Sequence, residues 1–325
     1  MKRNWPDYDP TVAFFPVELK PVFIQSSRQS DDLFDDVGYQ ALPRHFAVVE
    51  SESDHVFAVV TENYKLVTNQ QAYELAAEAL KVVFDFTALK DMACLKIIMP
   101  KTRSFCHIDL IHKERGFEPW EDDQWIPFIR ITNSYNRTHR LRFEVGFCRW
   151  INLNEVIFES KSVEISFAHT KQLQDIMLRW HENLGEIKEL EIEFVNQLKN
   201  LERFHVPRRW MLPLACKVFG IQLNPKRTIS PNRINELTLF RNAIDRLTND
   251  YFSALGEQGY AALNVLMDYA SQPVGVMSPE NRIDGYQRKA GDWINDFSQQ
   301  IESREFSFEK YLNDYITTSK MITEL

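Results

Sequence analysis

An arginine stands in a row of side chains that is otherwise apolar. Read with a strand's period of two, "RLRFEVGFCRWINL" sets Leu141, Phe143, Val145, Phe147, Arg149, Ile151 and Leu153 on one face. A buried guanidinium keeps its proton, so it must meet an anion or reach water. Its planar donors suit a carboxylate or a phosphate. Three readings stay open. Arg149 pairs with an internal carboxylate such as Asp109 or Glu155. Alternatively, the strand ends near residue 148 and Arg149 points outward. In the third reading Arg149 lines an anion pocket with His169, which ends the row Val163, Ile165, Phe167, and with Asn133. The first two weigh more, because strand ends are hard to place from one sequence. The ordinary roles of the other two residues are a core-edge histidine bonded to backbone and, for Asn133 with Ser134, a turn held by side-chain to backbone bonds.

A second set could bind a polyanion. Between residues 203 and 246 the cations Arg203, Arg208, Arg209, Lys217, Lys226, Arg227, Arg233, Arg241 and Arg246 alternate with Phe204, His205, Trp210, Phe219 and Phe240. Cations that follow phosphates, with aromatic rings on which bases stack, make a single-strand binding surface. The strongest candidates are Arg208, Arg209, Lys226 and Arg227 for phosphates and Trp210 for a base. Arg137, Arg140 and Arg142 form a second cationic cluster, the last two on the outward row of their strand. The competing reading pairs these arginines with the protein's own acids, either the acidic 1–62 segment or Glu189, Glu191 and Glu193. Both stay open.

A third set could hold a hard metal ion for a nuclease or hydrolase. "FCHIDLIH" puts His107 and Asp109 on one strand face, and Glu118, Glu121, Asp122 and Asp123 follow. The plainer reading is a strand and a solvated acidic loop, since no nuclease spacing is present. No metal site and no cofactor are expected: neither phosphate-loop glycine motif occurs, and glycine is scarce at 10 residues. No Ser/His/Asp or Cys/His arrangement stands out, so an enzyme is the less favoured class.

The elements that must position these residues change character near residue 170. Before it, "HFAVVE", "HVFAVVT", "CLKIIM", "SFCHIDLI", "WIPFIRIT", "RLRFEVGFCRWI" and "SVEISFAH" read as strands, with one helix from 70 to 84 capped by Asn69. Residues 1–40, with prolines at 6, 10, 16 and 21, read as irregular. After residue 170, apolar residues recur every three or four positions from Leu173 to Leu201. That is one long amphipathic helix over 171–203, a candidate oligomer contact. Ser230 and Ser278, each followed by proline, open two more helices, and a last helix covers about 307–319. The expected fold is α+β. It comprises a β-rich domain over 1–170, with a mainly antiparallel twisted sheet, and a helical region over 171–325 packed on it.

The stretch "ITNSYN…LRFEVGFCRWINLNEVIF" resembles the core signature of the phage/plasmid-like proteins, domain of unknown function nine-three-two. Asn133-Ser134, Gly146-Phe147, Arg149 and Asn154 match that signature. Asn152 and Glu155 replace its usual Cys and Gly, so any role of that cysteine is absent. Further similarity lies in "YKLVTNQQAYELA" (64–76), "FAHT" (167–170) and "GYAALNVLMDYAS" (259–271), so the likeness covers roughly 60–275. The resemblance implies a gene carried on prophages, plasmids or integrated elements, no agreed enzymatic activity, and a β-then-α domain.

Bulk properties narrow the classes further. A chain of 325 residues that is 44% hydrophobic can bury a large core, and 23 phenylalanines make that core aromatic. The net charge of -8 would repel a polyanion if it were evenly spread. It is not: residues 1–62 hold 5 Lys/Arg against 11 Asp/Glu, whereas 203–246 hold 9 against 2. Cys94, Cys106, Cys148 and Cys216 are widely spaced among apolar neighbours, which suits reduced thiols in the cytoplasm. No signal peptide or membrane span is expected. The leading expectation is a non-enzymatic nucleic-acid-binding protein of a mobile element, acting on single-stranded DNA in recombination or annealing, as an oligomer. The alternatives are a module that binds a host or phage protein and a metal-dependent nuclease using His107, Asp109 and Glu121.

Overall fold

A computed structural model describes residues 5–26, 38–83, 91–165 and 187–325. The fold is α+β, with antiparallel sheets in the N-terminal half and helices in the C-terminal half. Residues 17–26 form a strand where the prolines suggested irregular chain: β1 (Val17–Ser26) pairs with β2 (Gly38–Glu50), and β2 pairs with β3 (Val56–Thr61), both antiparallel. Pro21 is tolerated because β1 lies at the edge of this sheet, where a missing N–H costs no ladder bond, and the register shifts between Pro21 and Phe23. The second sheet has the order β4-β5-β7-β8-β9, with β6 on β7. Its strands are β4 (Met92–Ile98), β5 (Phe105–His112), β6 (Phe117–Trp120), β7 (Asp123–Ser134), β8 (Leu141–Arg149) and β9 (Glu155–Ile165).

The helices are α1 (Asn69–Val83), α2 (Ile187–Arg203), α3 (Met211–Phe219), α4 (Pro231–Leu255), α5 (Gly259–Ser271), α6 (Glu280–Ile301), α7 (Phe308–Tyr311) and α8 (Asn313–Thr323). A 3-10 turn, Arg208–Trp210, precedes α3. The expected long helix over 171–203 is described only from Ile187 onward; its earlier part lies outside the described residues. Where the change of period suggested one boundary at 170, contacts divide the chain into two units of three segments each. The first draws its described residues from Met1–Leu110, Ile129–Phe143 and Val163–Glu182, the second from Ile111–Phe128, Glu144–Ser162 and Asn183–Leu325.

In the first unit Phe15, Val17, Val48, Val60 and Tyr135 form a core over which Leu19, Phe46, Phe57 and Leu66 close. Two local rules set the start of α1. Thr68 Oγ1 accepts from the Gln71 N–H at 3.2 Å, while Gln71 Oε1 accepts from the Thr68 N–H at 2.9 Å. This is a capping box, so the cap is Thr68 rather than Asn69. Asn69 is buried and serves another purpose: its N–H donates to Tyr135 Oη, its amide donates to Ala13 O, and its Oδ1 accepts from Asn133.

In the second unit α5 is buried along nearly its whole length, with Ala261, Ala262, Leu263, Val265, Leu266 and Met267 fully enclosed. It packs against α2, α4 and α6. Phe194 of α2 stacks on Phe147 with centroids 4.5 Å apart and planes 7° apart, and meets Phe117, Trp125 and Phe158 edge-on. Each such pair contributes about 0.5–1.5 kcal/mol beyond simple burial. Gly146 makes room here, since a Cβ would fall 2.4 Å from both the Phe128 ring and the Val156 carbonyl oxygen. Ser230 caps α4 as expected, accepting from the Arg233 N–H, with Pro231 at the first helical position. Ser278 does not cap α6: it has φ +53°, and its carbonyl rather than its hydroxyl accepts from Asn281.

Candidate nucleic-acid interface

The 3-10 turn brings Arg208, Arg209 and Trp210 to the mouth of a groove of about 1020 Å³, walled by α3, α4 and α8. Its charged walls are Arg208, Arg209, Arg241 and Lys320 against Asp245, Glu309 and Glu324. Asn242, Thr248, Asn249, Ser319 and Thr323 add neutral polar groups. The turn exists because Pro207 fixes extended backbone before it, so the chain enters α3 only after Trp210.

These cations are not equally available. Arg208 Nε lies 3.2 Å from Glu257 Oε1, its Nη1 donates to Asn249 Oδ1 at 2.7 Å, and its guanidinium stands over the Phe252 ring. Arg241 Nη1 donates to the carbonyls of Ile322 and Thr323 at the end of α8, where a cation is favoured by the helix dipole. Burial pushes the Asp245 carboxyl up, against the pull of Arg241. Arg209 is exposed and makes no ion pair among the described residues; its guanidinium carbon lies 5.4 Å from the centre of the Trp210 ring. Lys226 and Arg227 follow α3 in an exposed loop held by Asn224, and neither has an ion-pair partner among the described residues. Arg233 is paired with Glu236, and Lys217 sits over the Tyr311 ring.

Trp210 is half-buried. Its ring stacks on Phe308 with planes 13° apart, and Phe308 belongs to an aromatic cluster with Phe204, Phe297 and Phe306. One ring surface is therefore already covered, and what Trp210 offers the groove is an indole whose orientation is fixed from behind. Arg137 and Arg140 are exposed and Arg142 is half-buried; all three belong to the first unit.

Arg149 is an internal residue. It is the last residue of β8 and 5% exposed, so the strand neither ends at 148 nor turns the side chain outward. Its partner is neither Asp109 nor Glu155 but Asp123, at 2.7 Å from Nε and 3.1 Å from Nη2; Nη1 donates to Asn264 Oδ1 at 2.6 Å. Tyr260 also donates its hydroxyl to Asp123, and its ring lies beneath the guanidinium. Burial works most strongly against the charge on Arg149, but the bonds and charge of Asp123, together with Tyr260 and Tyr251, hold its pKa above the usual arginine value. Each guanidinium nitrogen is thus bonded by the chain itself. Asn133, in the first unit, gives its amide to Val67 O and Asn69 Oδ1. His169 lies outside the described residues. Of the residues expected to line an anion pocket, Arg149 is taken by Asp123 and Asn133 by the start of α1.

Sequence reasoning missed Asp123 by assigning it to a solvated loop; it is the first residue of β7 and buried. A signal was present. Sequential antiparallel strands place the start of one beside the end of the next, which sets Asp123 close to Arg149. The outward row of β8 was misread as well: Glu144, on that row, is buried and paired with Arg288 of α6, which also holds Asp284. Glu155 accepts from Gln287 at 2.7 Å.

Among the described residues the metal alternative finds no geometry. Asp109 is fully buried, with both oxygens bonded to Arg130 at 2.7 and 2.6 Å. His107 is bonded to Thr132. Among the described residues no group of three or more His, Cys, Asp or Glu side chains is placed to hold a metal ion. The four cysteines are buried, and burial pushes the Cys94 and Cys216 thiols up to about 12. Among the described residues no helix is long and apolar enough to cross a membrane.

Two separated stretches of the motif resemblance meet: Arg149 of "GFCR" donates to Asn264 of "GYAALNVLMDYAS" and stands over its Tyr260 ring. No protein-family model, curated protein or solved structure matches the chain.

Proposed function

We propose that this chain is a non-enzymatic nucleic-acid-binding protein of a mobile element, and that it takes single-stranded DNA along the groove beside α3. The observation that carries the reading is the set Arg209, Lys226 and Arg227. They are exposed with no ion pair among the described residues, Arg209 just before α3 and Lys226 and Arg227 in the loop that follows it, and Arg209 lies on a groove that also holds the braced Trp210. Each unpaired cation adds one phosphate contact to a bound strand. An indole braced by Phe308 loses little freedom when a base packs on the part of it that faces the groove. Binding at such a surface is electrostatic first and tolerant of sequence. A role in annealing or recombination extends this reading; the apolar stripe of α2 that suggested self-association (Leu190, Phe194, Leu198, Leu201) is buried within the protein.

The test is fluorescence anisotropy at low ionic strength with labelled single-stranded and duplex oligonucleotides. The single strand binds more tightly, and the triple substitution Arg209→Ala, Lys226→Ala, Arg227→Ala weakens it at least about tenfold. Equal affinity in the triple variant removes the groove from consideration.

A second reading has one observation in its favour. Beyond β3, the ends of β1 and β2 form a two-stranded ribbon that leaves Phe23, Ile24 and Tyr39 exposed, with Tyr39 at 74%. Exposed apolar residues of this kind suit a protein partner. Capture of a stable partner that is lost on Phe23→Ser/Tyr39→Ser, together with no oligonucleotide binding, favours this second reading.

A further inference from the structure

Arg208 differs from the other cations at the groove in being joined to a carboxylate by a close ion pair among the described residues. Glu257, in the turn between α4 and α5, reaches it with both carboxylate oxygens: Oε1 lies 3.2 Å from Nε, and Oε2 accepts from the Arg208 backbone N–H at 3.4 Å. Both side chains are about two-fifths exposed, at 40% and 38%. The carboxylate is held in place from its own backbone, because Glu257 O accepts from the Val206 N–H and bonds the His205 ring. Arg208 and Asn249 line the groove, and Glu257 is not among its lining residues. Nη2 of Arg208 has no hydrogen-bond partner among the described residues.

We infer that Glu257 is an internal competitor for the groove's ligand, occupying Arg208 as a phosphate would and so setting the affinity of the site. This rests on the nucleic-acid reading above. A half-exposed ion pair is weak, because water screens it and two side chains must be held in one geometry. A phosphate bound nearby can therefore displace the carboxylate, but only by giving up part of its own binding energy. Arg209, Lys226 and Arg227 make no ion pair among the described residues, although Arg209 is near enough to Glu309 to favour its charged form, so they bind at less cost than Arg208.

The experiment compares Glu257→Gln with the unsubstituted protein, using a labelled oligothymidylate about 20 nucleotides long. Glutamine keeps an acceptor for the Arg208 backbone N–H while removing the charge. Affinity rises about two- to five-fold at low salt. The slope of log affinity against log salt steepens by about 0.7, the value for one further phosphate contact on a single strand. Glu302→Gln, an exposed acid elsewhere on the helical unit, gives the control for net charge alone and leaves both quantities unchanged. The same comparison in an Arg208→Ala background isolates the pair: the gain shrinks when Arg208 is absent. Unchanged affinity in Glu257→Gln, or equal gains with and without Arg208, overturns the inference while leaving the nucleic-acid reading intact. If neither protein binds the oligonucleotide at low salt, both fall together.

Discussion

Replacing Asp123 with asparagine tests the assignment of Arg149 as a structural residue. The substitution keeps the size of the side chain and one acceptor but strips the charge facing a guanidinium that is 5% exposed. Two bonds, at 2.7 and 3.1 Å, lose their ionic character, and Tyr260 loses its carboxylate acceptor. Asn264 still accepts from Nη1, but it is neutral and cannot balance the charge. Breaking a buried pair by removing one partner costs about 3–5 kcal/mol, because the remaining charge stays desolvated. Set against a net stability of about 5–15 kcal/mol, that is a large fraction. With a urea slope of about 3 kcal/mol/M for a chain of this size, the unfolding midpoint falls by about 1–1.7 M. Equilibrium urea unfolding followed by circular dichroism reads the shift. Adding Arg149→Met to Asp123→Asn recovers part of the loss, since no charge is then buried alone. Where it is folded, the Asp123→Asn protein binds oligonucleotide as the unsubstituted protein does. A midpoint shift under about 0.3 M, the scale of a surface pair, would show that Arg149 reaches water or another anion and that the buried network is wrong.

Two glycines of α6 give opposite outcomes. A Cβ on Gly291 would fall 2.1 Å from the Ile157 carbonyl oxygen, so Gly291→Ala forces helix and strand apart and destabilises by about 1–3 kcal/mol. Gly285 has nothing within 4 Å of its would-be Cβ, so Gly285→Ala stabilises by about 1 kcal/mol through helix propensity; thermal midpoints check both signs. The tyrosines set an alkaline limit. Eight of the eleven, Tyr64, Tyr73, Tyr135, Tyr251, Tyr260, Tyr269, Tyr286 and Tyr311, are pushed above 10.0, chiefly by burial, with Tyr251 at about 12. The unfolded chain therefore loses these protons first. Their contribution is complete below about pH 10 and is lost as pH rises towards 12, so phenolate absorbance grows together with unfolding rather than ahead of it. Phenolate absorbance that is complete near pH 10 with the fold intact would contradict the burial of these rings.

The α+β architecture was legible because period two and period three-to-four are written plainly on either side of residue 170, and α4 was legible because Ser230-Pro231 is a strong start signal. What escaped depended on partners far along the chain. Pro21 argued against a strand, yet an edge position removes the objection. Asn69 has the composition of a cap, but Asn133, 64 positions away in sequence, claims its side chain and Thr68 does the capping. Asp123 read as loop because its neighbours Glu121 and Asp122 are acidic, although only Asp123 enters β7. In the cationic stretch the residue types were readable from the sequence and their availability was not. Glu257 and Asn249 hold Arg208, the end of α8 holds Arg241, and nothing in the local sequence marks either arrangement.

The affinity for a single-stranded oligonucleotide across a salt series tests the central claim most directly. With Arg209, Lys226 and Arg227 as the free cations, log affinity falls with log salt at a slope of about -2, close to 0.7 for each phosphate contact. Removing those three side chains flattens the slope towards zero. No binding at low salt, or a slope unchanged by their removal, contradicts the account.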